Sequence, residues 1–255
     1  RRQRQMCIRD RDKGAADTVT TSMEEAVKDA DIVVSAVPVE AMESVFTEMA
    51  PFLKSDAVVT DVGSTRQTVI AAARKGLGDK FHQYAPAHPI AGGEMPGVDY
   101  ASADLFDEKV VISTPDEGMD PKVVTFIEEA WRKAGARVQA MSPLQHDLTF
   151  ASVSHLPHVL AYALVDMIAR EENAQEKLKM AGAGFRDFTR IASSSPVMWR
   201  DICLSNREAL SHELERYRAS LDTLQKYIDE SDGKALESVF ENAVRNRRGL
   251  VFPGK

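Results

Sequence analysis

The distribution of apolar residues divides this chain of 255 residues near position 142. Before that point, short apolar runs typical of buried strands alternate with segments of helical periodicity. This alternation predicts an α/β fold, a parallel sheet with right-handed crossovers and helices on both faces. The run DIVVSAVPV at 31–39 is expected to be buried on both faces. Strands are predicted at 31–39, 57–61, 81–86, 109–113 and 136–141, and helices at 40–53, 65–75 and 121–134.

After Met141 the pattern is helical only. A helix is predicted to begin at Ser142-Pro143, to kink at Pro157 and to continue to residue 171. Further helices are predicted at 185–192, 196–227 and 232–247. Apolar stripes of this length usually bury against a second subunit, so we predict an all-helical dimerisation domain over 142–255. The α/β domain is predicted over 12–141.

Composition narrows the class of protein. The formal net charge is −7, which gives no reason to expect a nucleic-acid partner. The sequence has no run of about 18 apolar residues, so no membrane span is predicted. The two cysteines, Cys7 and Cys203, cannot form a disulfide framework, and their spacing matches no metal motif. A cytoplasmic location is therefore expected.

Residues 1–11, RRQRQMCIRDR, carry five arginines and one aspartate. One interpretation is a basic arm. The other is a non-native end, because the composition changes abruptly at Asp12 and the string is similar to translated adapter sequence. We favour the second interpretation and treat 1–11 as a tail outside the fold.

Three strand ends carry candidate chemistry, since ligands of open parallel sheets bind at the carboxyl ends of the strands. The first end contains Val37 and Pro38, and the second runs from Asp61 through Gly63 to Ser64. Ordinary turn chemistry explains these two equally well. At the third end, His88 precedes a proline and a glycine pair, which suits proton transfer, although a structural histidine is the alternative.

The helical half offers two more clusters. His155 and His158 are three residues apart and share a helix face with Ser154. No Cys, Asp or Glu at ligand spacing completes a metal site, so we predict the wall of a substrate pocket and no metal. Arg190 lies in an apolar helical setting that calls for an anionic partner, either a protein carboxylate or a bound ligand.

Five motifs occur in order along both halves of the chain. They are AHPIAGGE at 87–94, MSPLQHD at 141–147, SHLPH at 154–158, GFRDFTRIA at 184–192 and PVMWRDI at 196–202. Together they resemble the prephenate dehydrogenase family, which includes arogenate and cyclohexadienyl dehydrogenases. The resemblance implies a Rossmann-like NAD(P) domain followed by a helical domain that forms a homodimer. It also implies oxidative decarboxylation of prephenate or arogenate in tyrosine biosynthesis.

The same resemblance implies roles for individual residues. His88 accepts the hydrogen bond and the proton of the ring C4 hydroxyl, and Ser64 orients this hydroxyl and the nicotinamide. Arg190 binds a substrate carboxylate. His158, with Ser154 and His155, lines the pocket, while Glu94, Asp187 and Trp199 form a polar gate at its mouth. The strand ends assign cofactor contacts to Val37, Pro38, Asp61, Gly63 and Ser64.

The sequence departs from the family at the phosphate-binding loop. Gly76-Leu77-Gly78 is the only Gly-x-Gly of the α/β half, and it follows a predicted helix without a third glycine. We therefore expect a chain that lacks the first strand, loop and helix of its domain, and the choice between NAD and NADP stays open. Two alternatives remain. One is a catalytically incomplete dimerisation and carboxylate-binding module; the other is a two-domain dehydrogenase of 3-hydroxy acids, which would need a lysine as its acid–base residue.

Overall fold

A five-stranded sheet forms the first half of the molecule. The computed structural model describes residues 10–92 and 97–250. The strands lie in the order β1 (Ile32–Ser35), β2 (Val58–Asp61), β3 (Tyr84–Pro89), β4 (Val110–Ser113) and β5 (Arg137–Ala140). All neighbouring pairs are parallel except β3 and β4, which are antiparallel.

The antiparallel pair corrects the prediction of a wholly parallel sheet. No crossover helix lies between β3 and β4 in the described part of their connection, which holds only a short 3₁₀ turn at Val98–Tyr100. The chain therefore leaves β3 and enters β4 at the same end of the strands, so β4 runs in the opposite direction to β3. A helix connects β4 to β5, and that pair is parallel as predicted.

The helices of this half pack on the sheet around one apolar core. They are α1 (Met23–Val27), α2 (Met42–Met49), α3 (Gln67–Leu77) and α4 (Pro121–Lys133). Phe46, Val59 and Tyr84 are fully buried at its centre. Helices α2 and α3 approach closely at Gly76, where an added Cβ would lie 2.6 Å from the Cβ of Phe46. Gly76 is thus a helix-packing residue inside α3.

Two predicted strands differ in detail. Residues 81–83 belong to a 3₁₀ turn, Gly78–Gln83, and the strand runs on to Pro89, so that His88 lies within β3. Strand β1 was expected to be buried on both faces, but it is an edge strand of the described sheet, and its Ile32 and Val34 are exposed.

The second half is helical throughout its described residues, with one α-helix interrupted by a π turn. This interruption, at Ala151–His155, lies next to Pro157, where the kink was predicted. The single helix predicted at 196–227 is wrong, because Asn206 leaves helical geometry with φ −112° and ψ 34° and divides it in two. The α-helices are α5 (Pro143–Phe150), α6 (Leu156–Ala169), α7 (Ala174–Lys179), α8 (Ala183–Thr189), α9 (Pro196–Ser205), α10 (Arg207–Asp229) and α11 (Gly233–Gly249).

One stretch of the helical half, Pro143–Ala169, is long and apolar enough to cross a membrane by length and composition, and 18 consecutive residues within it have a mean hydropathy of 1.4. The sequence interpretation had found no such stretch. Core helices of globular proteins pass the same test. His146, Asp147 and His155 of this stretch are buried, and Asp147 hydrogen-bonds to the α/β half. The arginine-rich tail lies mostly outside the described residues, and its non-native origin stays a prediction.

Candidate active site

A buried ion pair fixes the carboxyl ends of β2 and β3. Nη2 of Arg66 donates to Oδ1 of Asp61 at 2.6 Å, and neither side chain is exposed. Nη1 of Arg66 donates to the carbonyl oxygen of Ala87, the residue before His88, at 3.1 Å. The hydroxyl of Tyr84 donates to Oδ2 of Asp61, and burial together with Asp61 raises the pKa of Tyr84 well above its usual value. The two strand ends are therefore held in one rigid polar network.

The turn after β2 is shaped by the same network. The backbone N–H of Gly63 donates to Oδ1 of Asp61 at 2.7 Å. A Cβ at Gly63 would lie 2.9 Å from both Oδ1 of Asp61 and Nη2 of Arg66, so this position accepts only glycine. Ser64, the next residue, is half-buried at the sheet edge. The carboxylate of Asp61 is fully enclosed and supports the turn, while the predicted contact of this residue with the cofactor stays a prediction.

His88 is the half-buried member of a chain of three polar side chains. Its Nδ1 lies 2.8 Å from Nε2 of His146, and Nδ1 of His146 lies 2.8 Å from Oδ1 of Asp147. The ring of Phe150 packs against both imidazoles, with ring centroids 5.2 Å and 4.4 Å away. Burial, with the nearby His146 and Arg66, lowers the pKa of His88 well below its usual value. His88 is therefore a neutral imidazole, able to accept a proton.

Asp147 joins the two halves of the molecule. Its Oδ1 accepts the backbone N–H of Arg66 at 2.8 Å, and its Oδ2 accepts that of Gln67 at 2.9 Å, at the start of α3. Burial opposes ionisation of Asp147, but His146 and the two backbone donors lower its pKa overall. The start of α3 is thus capped by a side chain of the helical half and not by a residue of the preceding turn.

The histidine pair predicted in the helical half faces two different surroundings. His155 is buried, and the amide Nδ2 of Asn206 lies 3.1 Å from its Nδ1 and donates to the carbonyl oxygen of Asp147 at 2.8 Å. Burial lowers the pKa of His155 to about 4. His158 is half-buried and stacks on Trp199 at 3.6 Å between ring centroids. Its Nδ1 donates to the carbonyl oxygen of Ser154 at 2.8 Å, which leaves Nε2 as an acceptor.

The remaining predicted residues are placed less closely together. Trp199 is buried behind His158, and its indole N–H has no hydrogen-bond partner in the described structure. Arg190 and Asp187 are exposed at the end of α8 and in the turn after it, and the charge of Arg190 contributes to the lowered pKa of His158. Glu94 lies outside the described residues. Val37 and Pro38 follow β1 at the sheet edge that also carries Ser64.

Sequence reasoning missed four residues that build this site: Arg66, His146, Asp147 and Asn206. Two of them, His146 and Asp147, stand at the end of the motif MSPLQHD, which contributes to the family resemblance but carries no spacing that predicts a site. Arg66 and Asn206 had no local signal, because an arginine after a turn and an asparagine between helical segments are ordinary surface patterns. Within residues 10–92 and 97–250, no group of three or more His, Cys, Asp or Glu side chains could hold a metal ion.

Two family models match this chain. The model described as the prephenate dehydrogenase nucleotide-binding domain matches residues 2–140, and the one described as the prephenate dehydrogenase dimerization domain matches residues 142–242. The cyclohexadienyl dehydrogenase of Zymomonas mobilis is 37% identical over 247 residues, which are 95% of this chain and 84% of that protein. The prephenate dehydrogenase of Bacillus subtilis is 35% identical, over 95% of this chain and 66% of that protein.

A solved structure shows the same fold. The prephenate dehydrogenase of Aquifex aeolicus, in complex with hydroxyphenyl propionate and NAD+, superposes with a TM-score of 0.86 and 35% sequence identity. The match covers 95% of this chain and 85% of the Aquifex chain.

Proposed function

Because the chain belongs to the prephenate dehydrogenase family, we propose that it catalyses the NAD(P)-dependent oxidative decarboxylation of prephenate to 4-hydroxyphenylpyruvate. The observation that carries this proposal is His88 at the end of β3, which has a lowered pKa and whose Nδ1 lies 2.8 Å from Nε2 of His146 of the helical half. Arogenate, which differs from prephenate in the amino group of its side chain, is the second candidate substrate. The related cyclohexadienyl dehydrogenase supports keeping it.

The nucleotide-binding domain supplies the nicotinamide side of the cofactor site. Val37, Pro38, Gly63 and Ser64 lie at the carboxyl ends of β1 and β2, where ligands of open parallel sheets bind. The bound nicotinamide supplies a hydride acceptor. The sequence contains no Gly-x-Gly-x-x-Gly loop, so these residues account only for the nicotinamide end of the site.

His88 acts as the base. As the C4–H electron pair leaves the ring, the C4 hydroxyl must lose its proton, and Nε2 of His88 takes it. A positioned base of this kind typically contributes about 10²–10⁴-fold to the rate. Ser64 orients the hydroxyl from the neighbouring strand end. The ketone that forms draws electrons from the C1–carboxylate bond, carbon dioxide leaves, and the ring becomes aromatic.

The helical half holds the anionic substrate. Arg190 binds one carboxylate of the substrate. A charge-assisted hydrogen bond of this kind contributes about 1.5–3 kcal/mol to binding. His158, Ser154 and His155 line the pocket, and the stacked Trp199 keeps the ring of His158 in place. Asp187 and Glu94 are assigned to its mouth. The dimerization domain supports a homodimer, and we propose that it works in the cytoplasm.

The test separates the base from the carboxylate clamp. It uses an extended chain, in which the strand–loop–helix unit of a family relative, with its Gly-x-Gly-x-x-Gly loop, precedes residue 12. His88→Asn is expected to lower kcat at least about 100-fold with little change in the KM for prephenate. Arg190→Ala is expected to raise that KM at least about tenfold. Undiminished turnover by His88→Asn contradicts the assignment of the base.

The 255 residues themselves are tested by titration with NAD+ and NADP+. Saturable binding at micromolar concentration supports a competent cofactor site in this chain. Absence of binding, with intact dimers and binding of hydroxyphenyl propionate, supports the alternative of a dimerisation and carboxylate-binding module.

A further inference from the structure

We propose that His146 is a positioning residue that holds His88 in the one tautomer able to accept the substrate proton, and that Asp147 holds His146 in turn. The catalytic effect of this positioning rests on the proposed function. The tautomer of His88 is a property of the chain and can be measured without activity. Three contacts carry it: those between Asp147 and its donors, between Asp147 and His146, and between His146 and His88.

The first step is that Asp147 can only accept. Its carboxylate faces the backbone N–H groups of Arg66 and Gln67, at 2.8 Å and 2.9 Å, as well as Nδ1 of His146 at 2.8 Å. The side-chain amide of Gln67 adds a longer fourth contact at 3.4 Å. The two backbone N–H groups are fixed by the fold and cannot reorient. If Asp147 were protonated, its O–H would therefore point at another hydrogen-bond donor. Asp147 is therefore ionised, and Nδ1 of His146 carries a proton.

The second step follows from the chemistry of imidazole. A neutral histidine with a proton on Nδ1 has a lone pair on Nε2. The Nε2 of His146 therefore accepts from His88, whose Nδ1 carries the proton across the 2.8 Å contact. The Nε2 of His88 is left with a lone pair. In the opposite arrangement, His146 would donate to His88, and the Nε2 of His88 would carry a proton and could accept nothing.

The third step concerns the rings, which cannot turn to exchange their nitrogens. His146 is fully buried, and Phe150 packs against both rings. The backbone next to His88 is held through the bond from Arg66 to the carbonyl of Ala87. The two histidines and the carboxylate thus act as the histidine and carboxylate do in serine hydrolases, with a second imidazole inserted between them.

The proton balance of the step is simple. The hydroxyl proton moves to Nε2 of His88, the O–H electron pair becomes the second bond of the ketone, and the C4–H pair leaves as hydride. His88 becomes an imidazolium that continues to donate its Nδ1–H to His146. No proton moves to Asp147, whose negative charge stabilises the imidazolium through the intervening ring.

The direct test measures the tautomer of His88 in the full 255-residue chain by ¹⁵N NMR of labelled histidine rings, with His88→Asn used for assignment. Nδ1 of His88 is expected to be protonated and Nε2 unprotonated. His146→Leu should abolish this preference and give a mixture of tautomers. His146→Gln, whose amide oxygen can take the place of Nε2, should retain it. The control, His82→Leu, removes an exposed histidine of the α/β half and should leave the tautomer of His88 unchanged.

A second variant protects the test against loss of folding. His146→Asn keeps a donor for Asp147 but is too short to reach His88, so it should fold like the parent and lose the tautomer preference. A retained Nδ1–H tautomer in folded His146→Leu or His146→Asn overturns the proposal.

Kinetics in the extended chain provide a readout that a purely structural role would not give. His146→Leu is expected to lower kcat about tenfold to a hundredfold, with the KM for prephenate within about threefold of the parent. His146→Gln should recover most of the loss. A kcat within about twofold of the parent in His146→Leu contradicts the positioning role. Failure of the parent to oxidise prephenate contradicts the proposed function but leaves the NMR result standing.

Discussion

The two halves of the molecule bury their apolar residues differently. In the α/β half, the apolar residues of the sheet and of α2, α3 and α4 form a closed core within one chain. In the helical half, α10 has one buried apolar residue, Leu210, along 23 residues, and α11 has none. Large side chains such as Met167, Ile228 and Phe240 are more than half exposed there.

The α/β half encloses most of its large apolar residues in one core, although Ile32 and Val34 of the edge strand β1 are exposed, and it places a polar network at its strand ends. The last two helices of the other half leave their apolar stripe uncovered in one chain, and a stripe of that kind is stable in water only when a second surface covers it. The match of residues 142–242 to a dimerization domain supports a homodimer formed through this half.

The largest predicted effect comes from breaking the ion pair inside the α/β half. Arg66→Met keeps the length of the side chain but leaves the carboxylate of Asp61 buried without its cation. The free energy of unfolding is expected to fall by about 3–5 kcal/mol, measured by urea denaturation at fixed protein concentration. Arg74→Met, which removes an exposed pair with Asp116, serves as control and should change stability by less than about 1 kcal/mol. Equal effects of the two variants would contradict the importance of the buried network.

Acid should destabilise the folded chain through the buried His155. The pKa of His155 is lowered from 6.5 to about 4 by burial, so the unfolded chain binds a proton in this range that the folded chain does not. Stability therefore falls as the pH drops from 6.5 towards 4, by at most about 1.4 kcal/mol per pH unit for this histidine, or about 2 kcal/mol between pH 6.5 and 4.5. Urea titrations at pH 6.5 and 4.5 measure the change. His155→Asn should make the difference smaller, and an unchanged pH dependence in that variant would show that the proton binds elsewhere.

A charge on the uncovered stripe should weaken the dimer. Phe240→Glu places a carboxylate on the apolar face of α11, and the dissociation constant is expected to rise about thirtyfold, or about 2 kcal/mol. Sedimentation equilibrium provides the measurement. The α/β half offers the matched control Phe126→Glu, since Phe126 is similarly exposed on α4. An effect as large in the control would mean that the dimer is not confined to the helical half.

The smallest predicted effect concerns the joint itself. The hydroxyl of Thr65 lies 2.7 Å from that of Ser205, and the two residues belong to different halves. Thr65→Val keeps the shape and is expected to lower the free energy of unfolding by about 1 kcal/mol. Thr223→Val, an exposed threonine within α10, should change it by less than about 0.5 kcal/mol. An unchanged free energy of unfolding in Thr65→Val would show that the hydrogen bond between the two hydroxyls does not stabilise the contact between the halves.

Most of the fold could be predicted from the sequence because its signals are local. The runs at 57–61, 109–113 and 136–141 coincide with β2, β4 and β5 within one residue at each end. Ser142 caps α5 as its position before a proline predicted, by accepting from the N–H of Gln145. The direction of β4 could not be predicted, since it depends on where a long connection returns to the sheet. The break at Asn206 was missed because its side chain bonds to residues about 50 positions away in the sequence.

The sequence predicted the partly exposed residues of the site but not the buried residues that support them. His88 was found because a histidine at a strand end is unusual, and the helical cluster was found from its spacing. Arg66 and Asp147 support these residues from 81 positions apart, and each looks like an ordinary charged residue in the sequence. Their importance comes from complete burial, which no local pattern of polar residues predicts. The individual roles assigned to the site residues stay predictions until the variants are measured.

The cap that Asp147 places on α3 links the histidine pair to the docking of the two halves of the chain. The same carboxylate closes the start of a helix in one half and orients the histidine chain that ends at the base. If the halves separate, α3 loses its cap and His88 loses its partner at the same moment. Under the proposed function, His88 is therefore held as a base only in the docked arrangement, and separation of the halves would prevent the oxidation from starting.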